Sequence, residues 1–226
     1  LYCYPNRVTQ KLLDTIAANE ALVKYIDMPL QHASREVLKR MKRGSNGDQF
    51  LKLLERIRKT IPGVAIRTSM IVGFPGETDA DFEDTLSLMR EVGFDDAFTF
   101  KFSPREGTPA TRMSDELTVP SEVVDARYER LVELVRGIAR ARNMARLGER
   151  REVLVEKEAR KGGDLLQARS RDFRTVMVPA GAAAIGGKGG GRPTMGQGRG
   201  AEGAEPTAAI AAMGELLGVR GVASRG

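Results

Sequence analysis

The sequence predicts an α/β protein: a parallel sheet or part of a (β/α) barrel, then a small antiparallel β-barrel and a disordered glycine-rich tail. Strand-like segments alternate with amphipathic helical segments up to about residue 120, an order typical of parallel β/α units. From about residue 149, short alternating segments replace the helical period, as in a small antiparallel barrel. The final 41 residues hold 13 of the 25 glycines, so we expect no packed structure there.

The first two strands are short, and each precedes a helix. "LYCYP" (1–5) has the form of a strand's end, and "KYIDMPLQ" (24–31) forms the next strand. A helix is expected from about Thr9, where an apolar stripe begins. Ser34 is a cap for a second helix, and Gly44 allows that helix to end.

The next β/α unit carries the longest predicted strand. A third helix runs from its cap, Asp48, to Pro62-Gly63. The strand "VAIRTSMIVGF" (64–74) is β-branched and largely apolar, which predicts burial on both faces. Thr78 caps the helix after it, and Gly93 ends that helix.

The last strand before residue 120 alternates, and a long helix follows it. In "DDAFTFKFSP" (95–104) every second residue from Phe98 is phenylalanine, which predicts one aromatic face. The helix spans about 121–147, and we interpret it either as a packing helix with solvated arginines or as a contact surface for RNA or the ribosome. The arginines expected on its exposed side are Arg127, Arg130, Arg136, Arg140, Arg142 and Arg146.

These patterns divide the chain into four parts. We expect the barrel portion at 1–120, a basic linker helix at 121–148, an incomplete small β domain at 149–185 and a low-complexity tail at 186–226.

Composition excludes several classes of protein. No apolar run approaches the roughly 20 residues that span a bilayer, so we expect no membrane association. The first residues lack the basic leader and apolar block of a secretory signal. Cys3 is the single cysteine, which excludes an internal disulfide and suits a reducing compartment. We therefore expect a cytoplasmic protein, and a monomer.

The net charge of +6 is unevenly distributed. Residues 7–59 contain 12 basic and 6 acidic side chains, whereas residues 77–96 contain 8 acidic and 1 basic. So acidic a block argues against a protein that only coats nucleic acid. Local basic patches that contact RNA or a ribonucleoprotein are still compatible with this charge distribution.

Three loops are candidates for a ligand site, because ligands of parallel β/α folds sit at the carboxyl ends of strands. They are residues 31–34, 73–77 and 103–109. In the second loop, Gly73 and Gly76 either turn the chain or let a ligand approach bare backbone.

His32 and Arg67 each admit two interpretations. His32 is the only histidine, so no His-rich metal site exists, and it serves either structure or chemistry. Arg67 lies in an apolar strand and needs an anionic partner. That partner is either a ligand carboxylate or phosphate, or Asp27 on a neighbouring strand.

Four segments, "YIDMPLQHAS", "RMKRG", "IVGFPGET" and "FTFKFSPREGTPA", closely resemble the methylthiotransferases of the radical S-adenosylmethionine superfamily. The resemblance runs from Leu1 to about Ile185. It implies an amino-terminal domain with an auxiliary iron–sulfur cluster, a partial barrel and a TRAM β-barrel. It also implies two 4Fe–4S clusters and S-adenosyl-L-methionine as cofactors. A 5′-deoxyadenosyl radical then abstracts hydrogen from the carbon that receives the methylthio group.

The resemblance also implies roles for residues at the three loops. The loop after the long strand would lie along the adenine and ribose, Gln31 would contact the sugar, and Arg67 the methionine carboxylate. The implied cofactor-binding residues are Gln31, Arg67, Ile71, Val72, Gly73, Phe74, Gly76 and Ser103. His32 and Arg105 are candidates on the substrate side, and no catalytic residue or metal ligand is assigned.

The chain departs from the family pattern at the cluster. It contains no CxxxCxxC motif, and Cys3 matches none of the cluster ligands. We therefore expect a carboxyl-terminal fragment that does not cleave S-adenosylmethionine by itself.

Two branches of the family compete for the substrate. One modifies an aspartate of the twelfth small-subunit ribosomal protein, and the other modifies isopentenyl-adenosine in tRNA. "YIDMPLQHAS" and "LYCYP" favour the ribosomal-protein branch, whereas "FTFKFSPREGTPA" favours the tRNA branch. We weigh the first two more heavily, since they lie nearer the expected active-site mouth. A third hypothesis is a non-catalytic module that binds RNA or the ribosome through its basic helix and TRAM strands.

Overall fold

The computed structural model describes residues 2–108, 110, 113, 117–159 and 165–180. The chain divides into two compact units after Leu147. The predicted disorder of the tail, 186–226, lies outside the described residues. None of the described helices is long and apolar enough to cross a membrane.

The first unit is built on a parallel sheet, as predicted. Its strands are β1 (Tyr25–Asp27), β2 (Ala65–Val72) and β3 (Asp96–Lys101), in the order β1-β2-β3. Tyr2 bridges Asp27 in parallel orientation, so the segment that precedes the first helix lies beside β1.

Five α-helices accompany this sheet in the described part of the unit. They are α1 (Gln10–Ala18), α2 (Arg35–Arg40), α3 (Gly47–Thr60), α4 (Asp79–Val92) and α5 (Ser121–Met144). A short 3₁₀ turn at Pro5–Arg7 precedes them.

Polar side chains begin most of these helices. Thr9 and Ser34 accept a hydrogen bond from the backbone N–H three residues later, and Thr78 forms a reciprocal capping box with Asp81. The prediction that Asp48 caps α3 is wrong. Asn46 has the extended backbone of a cap and accepts from the next turn, while Asp48 lies inside the helix, where its charge still suits the positive end of the dipole.

The core lies on one face of the sheet. Ile66, Met70 and Val72 of β2 are fully buried and belong to one apolar cluster with residues of the helices. Arg67, Ser69 and Ile71, which point the other way, are only partly buried. The prediction that β2 is buried on both faces is therefore wrong for the described residues, because the helices cover a single face.

The predicted aromatic face of β3 is present, and it is open. Phe98 is 46% exposed and Phe100 is 50% exposed. On the opposite face Lys101 contacts α5, where its ammonium lies 2.6 Å from Asp125 and 5.1 Å from the ring centre of Tyr128.

The second unit contains a three-stranded antiparallel sheet in its described part. The strands are β4 (Val153–Glu158), β5 (Leu165–Ser170) and β6 (Thr175–Pro179), paired in chain order. Arg169 on β5 binds both carboxylate oxygens of Glu156 on β4, at 2.7 and 3.0 Å. The predicted change to antiparallel strands is confirmed.

Candidate cofactor-binding site at the strand ends

The three predicted loops meet at one edge of the sheet. The N–H of Gln31 donates to Ser69 O at 2.8 Å, and the carbonyl of Gln31 accepts from Ile71 N at 2.8 Å. Phe102 N donates to Val72 O at 2.8 Å. The ends of β1, β2 and β3 are thus hydrogen-bonded to one another.

Gln31 has a backbone conformation that is unusual for a residue with a side chain. Its φ is +78°, in the left-handed region that favours glycine. Such a conformation is unfavourable by about 1–2 kcal/mol for an L-residue, and strained residues of this kind cluster at functional sites. The structure therefore supplies a physical reason to test Gln31.

The loop "GFPGE" turns through two glycines with positive φ. Gly73 has φ +76° and Gly76 has φ +75°. A Cβ on Gly73 would meet the methyl groups of Val124 on α5 at 2.6 and 2.8 Å, and a Cβ on Gly76 would meet the guanidinium of Arg40 at 3.3 Å. Turn geometry and protein packing thus account for both glycines, and contact with a cofactor stays a prediction.

The side chain of Glu77 fixes the conformation of this loop. Its side chain is fully buried, and Oε2 accepts a hydrogen bond from Gly73 N at 2.8 Å. Arg127 donates to Oε1 at 2.9 Å and to the Glu77 carbonyl at 3.1 Å. A buried carboxylate between a backbone N–H and a guanidinium fixes the loop to α5.

Arg127 corrects one prediction from the sequence. It was expected on the exposed side of the long helix, but its side chain is 7% exposed and also binds Asp79 at 2.7 Å. Arg127 lies three residues after Val124 and four before Leu131, so these three positions share a helix face. That spacing places Arg127 on the apolar seam of the helix, which is a signal that it is buried and needs an anionic partner, but it does not identify Glu77 as that partner.

Other arginines of α5 are also engaged. Arg130 lies 2.5 Å from Glu83, and Arg142 donates to the Gly93 carbonyl at 2.9 Å. These contacts favour the packing-helix interpretation over a free basic surface for this part of α5.

His32 lies in the core behind the loop. The N–H of Ser34 donates to its Nδ1 at 3.0 Å, so the ring proton sits on Nε2, which faces Glu77 Oε2 at 3.5 Å. Thr85 Oγ1 is 3.3 Å from Nδ1. With a fully buried ring, His32 has the position of a supporting residue, and a substrate-side role stays a prediction.

Arg67 pairs with Asp27, which is one of the two alternative partners that the sequence left open. It binds Asp27 Oδ2 at 2.5 Å, and this hydrogen bond raises the pKa of Arg67 despite partial burial. Its guanidinium lies 4.4 Å from the ring centre of Phe98 and 5.7 Å from that of Tyr25.

The remaining predicted residues fall into two groups. Val72 and Phe74 are buried, and Phe74 packs edge-on against Phe102 with ring centres 4.9 Å apart. Ser103 and Arg105 are exposed in the loop after β3. We define the open face as Arg67, Ser69, Ile71, Phe98 and Phe100, the outward residues of β2 and β3, which meet in register.

An iron–sulfur cluster does not fit the residues present. Burial raises the pKa of the Cys3 thiol, which disfavours the thiolate that a cluster requires. Across the described ranges, no group of three or more His, Cys, Asp or Glu side chains is placed to hold a metal ion. S-adenosylmethionine fits better, since the open face offers aromatic rings beside a guanidinium.

Comparison with known proteins agrees with the family resemblance. Residues 2–89 match the family model described as the Radical SAM superfamily. The chain is 55% identical over 155 residues to the ribosomal protein uS12 methylthiotransferase RimO of Solibacter usitatus (strain Ellin6076), covering 69% of this chain and 33% of the relative. It is 45% identical over 183 residues to the tRNA-2-methylthio-N(6)-dimethylallyladenosine synthase of Anoxybacillus flavithermus (strain DSM 21510 / WK1), covering 81% of this chain and 34% of the relative.

A solved structure supports the fold. Coproporphyrinogen III oxidase (HemN) from Escherichia coli, a radical SAM enzyme, matches with a TM-score of 0.53 and 15% identity, covering 75% of this chain and 45% of that one. The chain spans about a third of the length of the curated relatives named above. The resemblance carried by the sequence motifs is confirmed.

Proposed function

We propose that this chain, a relative of the radical S-adenosylmethionine methylthiotransferases, is the part of such an enzyme that holds S-adenosylmethionine at the strand ends while an aspartate of ribosomal protein uS12 is modified. The identity of 55% to a uS12 methylthiotransferase supports this choice of substrate. Because the chain spans a third of that relative, the complete reaction belongs to a longer protein. We place it in the cytoplasm, where ribosomal proteins and tRNA are found.

The open face is the observation that carries the proposal. Contiguous exposed apolar patches mark binding surfaces, and the ring centres of Phe98 and Phe100 lie 6.2 Å apart. Stacking on such rings suits adenine, and the Gln31 amide can bind the ribose hydroxyls. Arg67, which pairs with Asp27 beside the ring of Phe98, is the candidate for the methionine carboxylate.

Bound S-adenosylmethionine supplies the radical chemistry in this superfamily, and the residues of this chain position it. Glu77 and Arg127 fix the loop after β2, and His32 supports that loop from the core. All three are buried, so we assign them to the positioning of the loop, and a substrate-side role of His32 stays a prediction.

Binding of S-adenosylmethionine tests the proposal directly. Isothermal titration with the full chain should detect binding, and Phe100→Ser should weaken it about tenfold, the size of one lost stacking interaction. Leu22→Ser is the matched control, because Leu22 is a similarly exposed apolar residue, 40% exposed, that lies outside the open face. Absence of binding, or equal effects of the two variants, would contradict the site.

The chain alone should not cleave S-adenosylmethionine. Its one cysteine cannot supply the three thiolates of a CxxxCxxC site. Anaerobic reconstitution with iron and sulfide, followed by reduction, should therefore yield no 5′-deoxyadenosine. A catalytic amount of that product would refute this part of the proposal.

A tRNA substrate is the second candidate. The match to the tRNA-modifying relative extends over 81% of this chain, further than the match to the uS12 enzyme. Binding of the chain to purified uS12 and to an anticodon stem-loop carrying isopentenyl-adenosine should be compared side by side. Preference for the stem-loop would favour the tRNA branch. Ribosome binding that needs no S-adenosylmethionine and survives Phe100→Ser would favour a non-catalytic module.

A further inference from the structure

A basic cavity lies where α2 ends and α3 begins. Its volume is about 410 Å³. The residues that line it include Arg35, Lys39, Lys42, Arg43, Ser45 and Asn46. No carboxylate contributes to the lining among the residues that the structure describes. The cavity contains none of the residues assigned to S-adenosylmethionine, so it needs a separate explanation.

Three of the cationic side chains at this cavity have no carboxylate partner among the described residues. Within the described ranges, Arg35, Lys39 and Lys42 form no ion pair, in contrast to Arg127 and Arg130 of α5, which bind carboxylates. Clustering like charges without counter-charges is unfavourable. A cluster that is maintained without internal partners therefore points to an external anion.

Lys42 gives a second, independent indication. Its φ is +55°, and it follows α2 at the position where helices usually end in glycine or asparagine. The hydrogen bonds of that motif are present: Arg43 N donates to Leu38 O at 2.8 Å and Lys42 N to Lys39 O at 3.0 Å. Glycine would satisfy the backbone without strain. The lysine is therefore unfavourable for the fold, and Lys42 lines the cavity.

Two contacts fix the side chain of Arg43, which also lines the cavity. It donates to the Pro29 carbonyl at 3.2 Å, and its guanidinium lies 5.4 Å from the ring centre of Tyr4. A side chain fixed by two contacts loses less conformational freedom when it binds an anion. The start of α3 adds the positive end of a helix dipole at Asn46, its cap.

We propose that this cavity binds phosphate groups of an RNA backbone. Lysine ammonium groups act as point charges for phosphate, and hydroxyl and amide groups such as those of Ser45 and Asn46 add neutral hydrogen bonds. RNA is favoured over an acidic protein because the segment 7–59 that contains the cavity has 12 basic and 6 acidic side chains, an excess of positive charge that suits a polyanion. The lining of this cavity shares no residue with the predicted cofactor-binding set, and the proposal does not depend on which methylthiotransferase branch is correct.

The salt dependence of RNA binding tests the site. Binding of the full chain to a labelled single-stranded oligouridine of roughly 20 nucleotides should be measured by fluorescence anisotropy at several salt concentrations. Lys39→Ala with Lys42→Ala should lower the slope of log K against log salt by about 1.4, since each phosphate contact to a single strand contributes about 0.7. Lys11→Ala with Lys52→Ala is the control, because these exposed helix lysines change the net charge equally outside the cavity.

K42G separates binding from folding. It should raise the urea midpoint of unfolding, because it relieves the left-handed backbone, and yet weaken RNA binding and lower the slope by about 0.7. The proposal is overturned if the two double variants lose equal slope, which would indicate diffuse attraction. It is also overturned if polyglutamate of equal charge competes as well as oligouridine, which would indicate an acidic protein partner. S-adenosylmethionine is absent from these measurements, so their outcome is independent of the proposed reaction.

Discussion

Glu77→Gln is the substitution that tests most directly how the strand-end loop is held. The glutamine has nearly the same shape, and its amide oxygen can still accept the hydrogen bond of Gly73 N. It removes the negative charge that faces Arg127 at 2.9 Å in a buried environment. Arg127 then keeps one ionic partner, Asp79, whose side chain is 93% exposed.

The magnitude follows from the difference in burial between the two carboxylates. Removing one partner of a buried ion pair destabilises a protein by about 3–5 kcal/mol, because the remaining charge is left without compensation. Arg127 retains Asp79 and the Glu77 carbonyl, so we expect the lower end, about 3 kcal/mol. Asp79→Asn removes only the exposed partner of the same guanidinium, and such pairs contribute less than about 1 kcal/mol.

Tyrosine fluorescence is the assay that isolates the relevant unit. The chain has four tyrosines, Tyr2, Tyr4, Tyr25 and Tyr128, and no tryptophan, so every tyrosine lies before residue 148. Urea unfolding followed at this signal reports the first unit alone. If Glu77→Gln and Asp79→Asn change the free energy of unfolding by the same amount, burial does not set the strength of the pair, and our account of the loop is wrong.

Four further substitutions, two of them combined, test the backbone and the caps with the same assay. Gln31→Gly should raise the free energy of unfolding by about 1 kcal/mol, since glycine adopts φ +78° freely; a loss would contradict strain at this position. Gly73→Ala should lower it by about 3 kcal/mol through positive φ and contact with Val124. Combining Gly73→Ala with Val124→Ala should recover the part of the lost free energy of unfolding that comes from the steric contact. If the losses of the two single variants simply add in the double variant, that contact is not the cause. Burial raises the pKa of Asp81, but hydrogen bonds led by that from Ser34 outweigh burial and lower it. The stability that this carboxylate contributes is therefore present above its unfolded pKa of about 3.9 and is lost as pH falls through its lower native pKa. Asp81→Asn should remove this contribution to the pH dependence of the free energy of unfolding in acid. If that pH dependence is unchanged in the variant, the role assigned to Asp81 is wrong.

Local chemistry made the helix starts predictable from the sequence, with one exception. Ser34 and Thr78 cap their helices as expected, and Thr9 caps the helix that was expected to begin near it, because a hydroxyl directly before an amphipathic segment has few competing positions. At α3 two cap residues, Asn46 and Asp48, stand two positions apart. The choice between them depends on where the chain leaves the preceding turn, which the pattern of apolar residues does not specify.

The burial of β2 was not predictable, because it depends on what lies opposite. An apolar, β-branched segment such as 64–74 indicates a strand, but the sequence does not state how many layers cover it. In the described part of the chain one face of β2 meets the helices and the other stays open. The difference matters for function, because the open face is where we propose that the cofactor is held.

The Glu77–Arg127 pair was missed because it joins residues 50 positions apart. Each residue alone has the appearance of an ordinary surface charge on an acidic or a basic segment. Only the packing of α5 against the sheet brings them together, and no local rule predicts that packing. Arg67 and Asp27 were easier to pair, since they lie on neighbouring strands in the same register row.

The pair has a consequence for geometry that apolar packing could not provide. The apolar seam of α5 continues through Leu131 and Val135, so a shift of the helix by one turn, about 5.4 Å, would still bury apolar side chains. The same shift would leave the carboxylate of Glu77 buried without Arg127, which is strongly unfavourable. The charge pair therefore selects one register of α5, and that register places Val124 against Gly73. The shape of the loop at the strand ends is in this way determined by a helix that contributes none of the predicted cofactor contacts.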